Sequence, residues 1–80
     1  MKKIKVKRLV YTNIHGATAI GGQEYSGSLT DDNILCSIHE QGKTAWHHNQ
    51  LWLLRNGQPT YQITVETFYI YKKSWYDRFL

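Results

Sequence analysis

The sequence holds one cysteine and one proline in eighty residues. A lone cysteine excludes an internal disulfide, so the fold must stand on packing alone. One proline, with 41% hydrophobic and 20% charged residues, excludes a disordered, collagen-like or low-complexity chain. Long apolar runs are lacking too. The longest uncharged stretch, residues 9–23, is rich in Gly, Thr, Asn and His and is too polar and too short to span a bilayer. The basic start Met1-Lys2-Lys3-Ile4-Lys5 is not followed by the apolar segment of a signal peptide, so a soluble cytoplasmic protein with no membrane partner is expected. At 9.4 kDa there is room for a single domain, residues 1–80, and such a chain buries only about 60% of its unfolded surface.

Acidic residues are scarce, and the net charge of +4 is unevenly spread. Lys2, Lys3, Lys5, Lys7 and Arg8 crowd the first eight residues, and Lys72, Lys73 and Arg78 face only Asp77 in the last nine. Between them, Lys43 and Arg55 are the only cations against Glu24, Asp31, Asp32, Glu40 and Glu66. Basic ends on a mildly acidic body suit an anion-binding patch if the ends meet in space. Alternating lysines on a half-buried strand, guarding an open edge, are the structural reading of the same residues.

Periodicity predicts an antiparallel β protein of five or six short strands, barrel-like or strongly bent. Ile4, Val6 and Val10 share parity, so residues 3–12 read as a first strand. Leu9 and Tyr11 fall on the other face, which calls for a bulge near Arg8 or a second buried face. Residues 13–28 hold four of the six glycines and read as a small-residue strand with turns or as a loop. Thr30-Asp31-Asp32-Asn33 has turn composition. The alternation of Ile34, Cys36 and Ile38 predicts a strand over 33–40. A hairpin at Gln41-Gly42 would then set Glu40 opposite Lys43 and Cys36 opposite His47, with the return strand from Thr44 to His48. Leu51-Trp52-Leu53-Leu54 is a buried apolar run. Asn56-Gly57 accepts the positive φ of a type I′ turn. Tyr61 to Tyr71 is a long β-branched and aromatic strand, apolar on both parities from Thr67 onward, hence central or bent. Residues 72–80 predict one closing helical turn.

No catalytic or metal motif is complete. Ser37 to Thr44 approximates G-x-x-x-x-G-K-[ST] but begins with serine and lacks the strand–loop–helix setting. His15, His39, His47 and His48 do not reach four-ligand zinc spacing, and Cys36 reads as a core thiol. No cofactor is expected, and binding is expected ahead of catalysis. A small nuclease or phosphodiesterase, built on His, Tyr, Lys and Arg types, stays as the enzymatic alternative.

The aromatics are the positive signal: eleven of the eighty residues are Trp, Tyr or Phe. Aromatics interleaved with cations stack on bases and hold phosphates, and the same residue types dominate protein interfaces. Lys43, Trp46, His47, Arg55, Tyr69 and Tyr71 are therefore the candidate binding residues. They would take an anionic, nucleotide-type small molecule or nucleic acid, with the glycine-rich segment folded over a phosphate. The alternative is an inhibitor that docks on a host protein through an aromatic surface or a strand edge. Aromatics left outside so small a core also make a homodimer an expectation. In size and style the chain is similar to accessory proteins of phages and mobile elements that block a host defence. That likeness implies action in the host cytoplasm.

Overall fold

The computed structural model describes residues 2–72. In chain order these form β1 (Lys2–Asn13), β2 (Thr18–Ile20), β3 (Tyr25–Ser26), α1 (Asp31–Glu40), β4 (Thr44–His47), β5 (Gln50–Arg55) and β6 (Gln58–Lys72). The strands make one antiparallel sheet in the order β2-β1-β6-β5-β4, and β3 also pairs with β1. The sheet is bent but not closed into a barrel.

The spine is the β1–β6 pair, which runs in unbroken register from Lys2↔Lys72 to Asn13↔Tyr61. There is thus no bulge at Arg8. The mixed parity of β1 reflects two buried faces instead, with Leu9 inward on one and Val6 and Val10 on the other. Asn56 and Gly57, with φ of 53° and 76°, close the β5–β6 hairpin as the sequence predicts, leaving Arg55 opposite Gln58. The register then shifts from Leu54↔Pro59 to Leu53↔Tyr61, so Thr60 is an extra residue beside the single proline. A bulge suits that place, because proline has no N–H for a regular ladder. A second two-residue turn joins β4 to β5 at His48-Asn49, both with positive φ.

Residues 31–40 correct the strand predicted there: they form a helix. Thr30 caps it, its hydroxyl accepting from the Asn33 amide at 3.2 Å, and Asp31 and Asp32 complement the positive end of the helix dipole. Ile34, Leu35 and Ile38 then form one apolar stripe at helical spacing. Alternation accounts for Ile34 and Ile38 but not for Leu35, and it wrongly places Cys36 in the core. Cys36 is exposed. Neither the Cys36–His47 pair nor the Glu40–Lys43 hairpin pair forms, since β4 pairs with β5. The chain leaves the helix through Gln41, and Gly42 and Lys43 turn it into β4 with φ of 89° and 65°. The Lys43 carbonyl accepts from the Leu54 amide at 2.8 Å, tying this turn to β5.

The core sits where α1 meets the sheet: Leu9, Ile34, Leu51 and Ile63 are buried together, with Tyr11, Tyr25, Leu35, Ile38, Leu53 and Val65 packed around them. An ion pair of 2.8 Å between Lys7 and Asp31 latches the helix start to β1. Being largely open to water on the Asp31 side, it contributes about 1 kcal/mol at most. Among the described residues no helix is long and apolar enough to cross a membrane. The predicted C-terminal helical turn lies outside the described residues, apart from Lys72, which ends β6.

Candidate ligand-binding cleft

The helix covers only part of its face of the sheet. Beside its C-terminal end lies a cleft of about 440 Å³. Leu9, Tyr11, Leu53 and Ile63 are its floor. Ile38, Gln41, Gly42, Lys43 and Thr44 wall one side, and Gly21, Gly22, Gln23 and Tyr25 wall the other. That volume falls within the range of small-molecule sites. A smaller, almost wholly apolar hollow of about 300 Å³ adjoins it, sharing Tyr11 and Leu53 and adding Ala19 and Tyr61.

Local sequence explains each wall. The glycine-rich wall stays close to the sheet because the Gly21 amide donates to the Leu9 carbonyl at 2.8 Å. A Cβ at Gly21 would sit 3.4 Å from that oxygen and 3.5 Å from the Tyr11 ring, so a small residue lets the loop lie flat. The facing wall is shaped by the two left-handed residues after α1. Gly42 adopts this conformation freely, whereas Lys43 does so at a cost of order 1 kcal/mol or more. The Leu54–Lys43 hydrogen bond holds that strained turn. Next along, His39 Nδ1 and Thr44 Oγ1 lie 2.8 Å apart and brace the helix end against β4.

The electrostatics are one-sided. Among the described residues Lys43 is the only charged residue lining the cleft. The nearby C-terminal end of α1 opposes it with roughly half a negative charge. Two helix carbonyls at that end are already engaged, Ile38 by the Gln41 amide and His39 by the Gly42 amide, both at 3.1 Å. A whole ammonium charge outweighs a screened half charge, so the net fixed charge at this end of the cleft is positive. The Tyr25 phenol has its pKa raised above the ordinary 10.0, chiefly by burial and secondarily by Tyr11. It stays protonated at neutral pH and can donate a hydrogen bond into the site.

The structure distributes the predicted binding residues over three regions. Lys43 lines the cleft and also borders a shallow depression with Arg55 and the Asn56-Gly57 turn. Trp46 and His47 are on the edge strand β4. The Trp46 ring meets His39 at 5.8 Å, and the His47 ring meets His48 edge-on at 4.1 Å. Tyr69 and Tyr71 are far along β6, opposite Lys5 and Lys3. Tyr11, Tyr25, Gln23, Gln41 and Thr44 were not among the predicted residues. The signals for them were the glycine pair just before Tyr25 and the Thr-Asp-Asp helix start. Among the described residues no three His, Cys, Asp or Glu gather as a metal site would require. No family model matches the chain, and neither a curated protein nor a solved structure does.

Proposed function

We propose that the protein binds a small anionic ligand of the nucleotide type in this cleft, a planar apolar body carrying a phosphate. The observation that carries the reading is the pairing of one cation, Lys43, with an apolar and tyrosine-lined floor that, among the described residues, carries no carboxylate. The ligand's body would lie over Leu53 and Tyr11, toward the adjoining apolar hollow. Its anionic group would meet the Lys43 ammonium, with Gln23, Gln41, Thr44 and the Tyr25 hydroxyl as further hydrogen-bond partners. A hydrogen bond to a charged group is worth roughly 1.5–3 kcal/mol. Titration of the 15N-labelled protein with adenosine monophosphate, and separately with adenosine, tests this. The monophosphate is expected to shift the amides of residues 21–25 and 41–44 and to bind at least about tenfold more tightly than the nucleoside. Lys43→Gln should abolish that difference. Equal affinity for the two compounds, or shifts confined to other residues, would refute the assignment.

A further inference from the structure

Beyond the cleft, β1 and β6 continue as a two-stranded ribbon. β5 pairs with β6 only as far as Ile63, β3 reaches no further along β1 than Val6, and residues 2–5 of β1 have β6 as their one strand partner among the described residues. The two faces of this ribbon are chemically opposite. Ile4 stands across from Ile70 and Val6 from Phe68, an apolar face that is half-buried or buried. The other face carries Lys3 across from Tyr71 and Lys5 across from Tyr69. All four of these residues are exposed, the tyrosines at 58% and 65%. From residue 2 to 7 and from 67 to 72 the sequence has no carboxylate, while Lys2, Lys3, Lys5 and Lys72 are cations; Lys7 is held by Asp31.

We infer that this face of the ribbon binds single-stranded nucleic acid, with Lys3 and Lys5 on phosphates and Tyr69 and Tyr71 stacked on unpaired bases. Lysine alone is explained by the open strand edges, which positive charge keeps from pairing with other chains. Edge protection does not explain two exposed tyrosines on the same face, since bare aromatic rings make an edge more adhesive. On this face a row of lysines on β1 runs beside a row of tyrosines on β6, so cation meets ring across the pair. Successive tyrosines on β6 are about 7 Å apart, so each can take a base of its own. The Lys3 ammonium lies over the Tyr69 ring, 4.6 Å from its centre, and Tyr69 remains 58% exposed. A duplex keeps its base faces stacked inside, so exposed rings gain nothing from it; a single strand offers them. The site is separate from the cleft: Ile63 on the cleft floor and Tyr71 are roughly 27 Å apart along β6.

Fluorescence anisotropy with a labelled twelve-nucleotide oligo(dT), and with a duplex of the same length, tests the inference. The single strand should bind more tightly than the duplex, with log K falling against log salt at a slope of about −1.4 or steeper, given two or more phosphates engaged. Lys3→Gln with Lys5→Gln should reduce that slope by about 1.4. Tyr69→Ala and Tyr71→Ala should each weaken binding roughly tenfold, while Tyr69→Phe and Tyr71→Phe retain it, because stacking needs the ring and not the hydroxyl. The phenylalanine variants also guard against a loss caused by misfolding. Cys36→Ser, on the exposed face of α1 and part of neither surface, should leave oligonucleotide binding unchanged. Preference for the duplex, a slope unaffected by the two lysines, or full binding by the alanine variants would overturn the inference.

Discussion

Replacing Ile34 by alanine tests the least expected element of the fold, the helix over residues 31–40. Ile34 is 1% exposed and packs from α1 into the sheet core with Leu9, Leu51 and Ile63. Ile→Ala at such a site removes apolar burial and leaves a cavity that the rigid sheet floor cannot fill, at a cost of about 3 kcal/mol within a usual range of 2–5. A domain of this length has a total stability of roughly 4–12 kcal/mol, so the loss is a large share of it. The expected fall in Tm is about 12–24 °C. The control is Cys36→Ser. On the helix Cys36 points to water, and its substitution should change stability by no more than about 0.5 kcal/mol. On a strand, Ile34, Cys36 and Ile38 would share one buried face and both variants would be costly. Urea melts followed by far-ultraviolet circular dichroism give both values. The helical placement is refuted if the two substitutions cost the same, or if Ile34→Ala costs under about 1 kcal/mol.

Two further outcomes follow from single residues. Gly57 sits at φ 76° in the β5–β6 turn, so Gly57→Val should cost roughly 1 kcal/mol or more in the same melts, and an unchanged midpoint would mean that the turn is formed otherwise. The Tyr25 phenol has a raised pKa in the folded protein, so its contribution to stability is complete below pH 10.0 and is lost as pH climbs through the raised value. Tyr25→Phe should therefore lose less stability than the parent between pH 9 and 11, and parallel pH profiles of the two proteins would contradict the burial of that hydroxyl.

The strands were legible where one residue type can serve only one geometry. Asn56-Gly57 tolerates positive φ at both positions and so fixed a hairpin, and with it the register of β5 on β6. Alternation in β1 located the strand but not the reason for its two apolar parities, which is that the sheet buries Leu9 on one face and Val10 on the other. The helix was hidden because Ile34 and Ile38 satisfy a period of two as well as one of 3.6. Leu35 decides between them, and so does the run Thr30-Asp31-Asp32, whose oxygens and charges suit a helix start better than a bare turn. The turn at His48-Asn49 was not legible, since its φ of 52° at a histidine is imposed by the pairing of β4 with β5 rather than by local preference.

The candidate site shows the same limit at a longer range. Lys43 stood out in the sequence as an isolated cation, but its surroundings depend on contacts that no local pattern encodes. The glycine-rich wall reaches it from β1's outer edge, and the helix end reaches it only because residues 33–40 are not a strand. The aromatics divided in a way that composition cannot foresee. Tyr11 and Tyr25 pack against the core beside Lys43, while Tyr69 and Tyr71 stay exposed beside Lys3 and Lys5. Charge and ring therefore come together twice, once in a walled cleft and once on an open ribbon. A walled cleft with a single cation offers one anion partner and so gains little from further nucleotides. An open alternating face gains with every added nucleotide. Affinity measured against oligonucleotide length thus separates the two surfaces: binding at the cleft should change little with length, and binding at the ribbon should rise with length until Lys3, Lys5, Tyr69 and Tyr71 are all engaged.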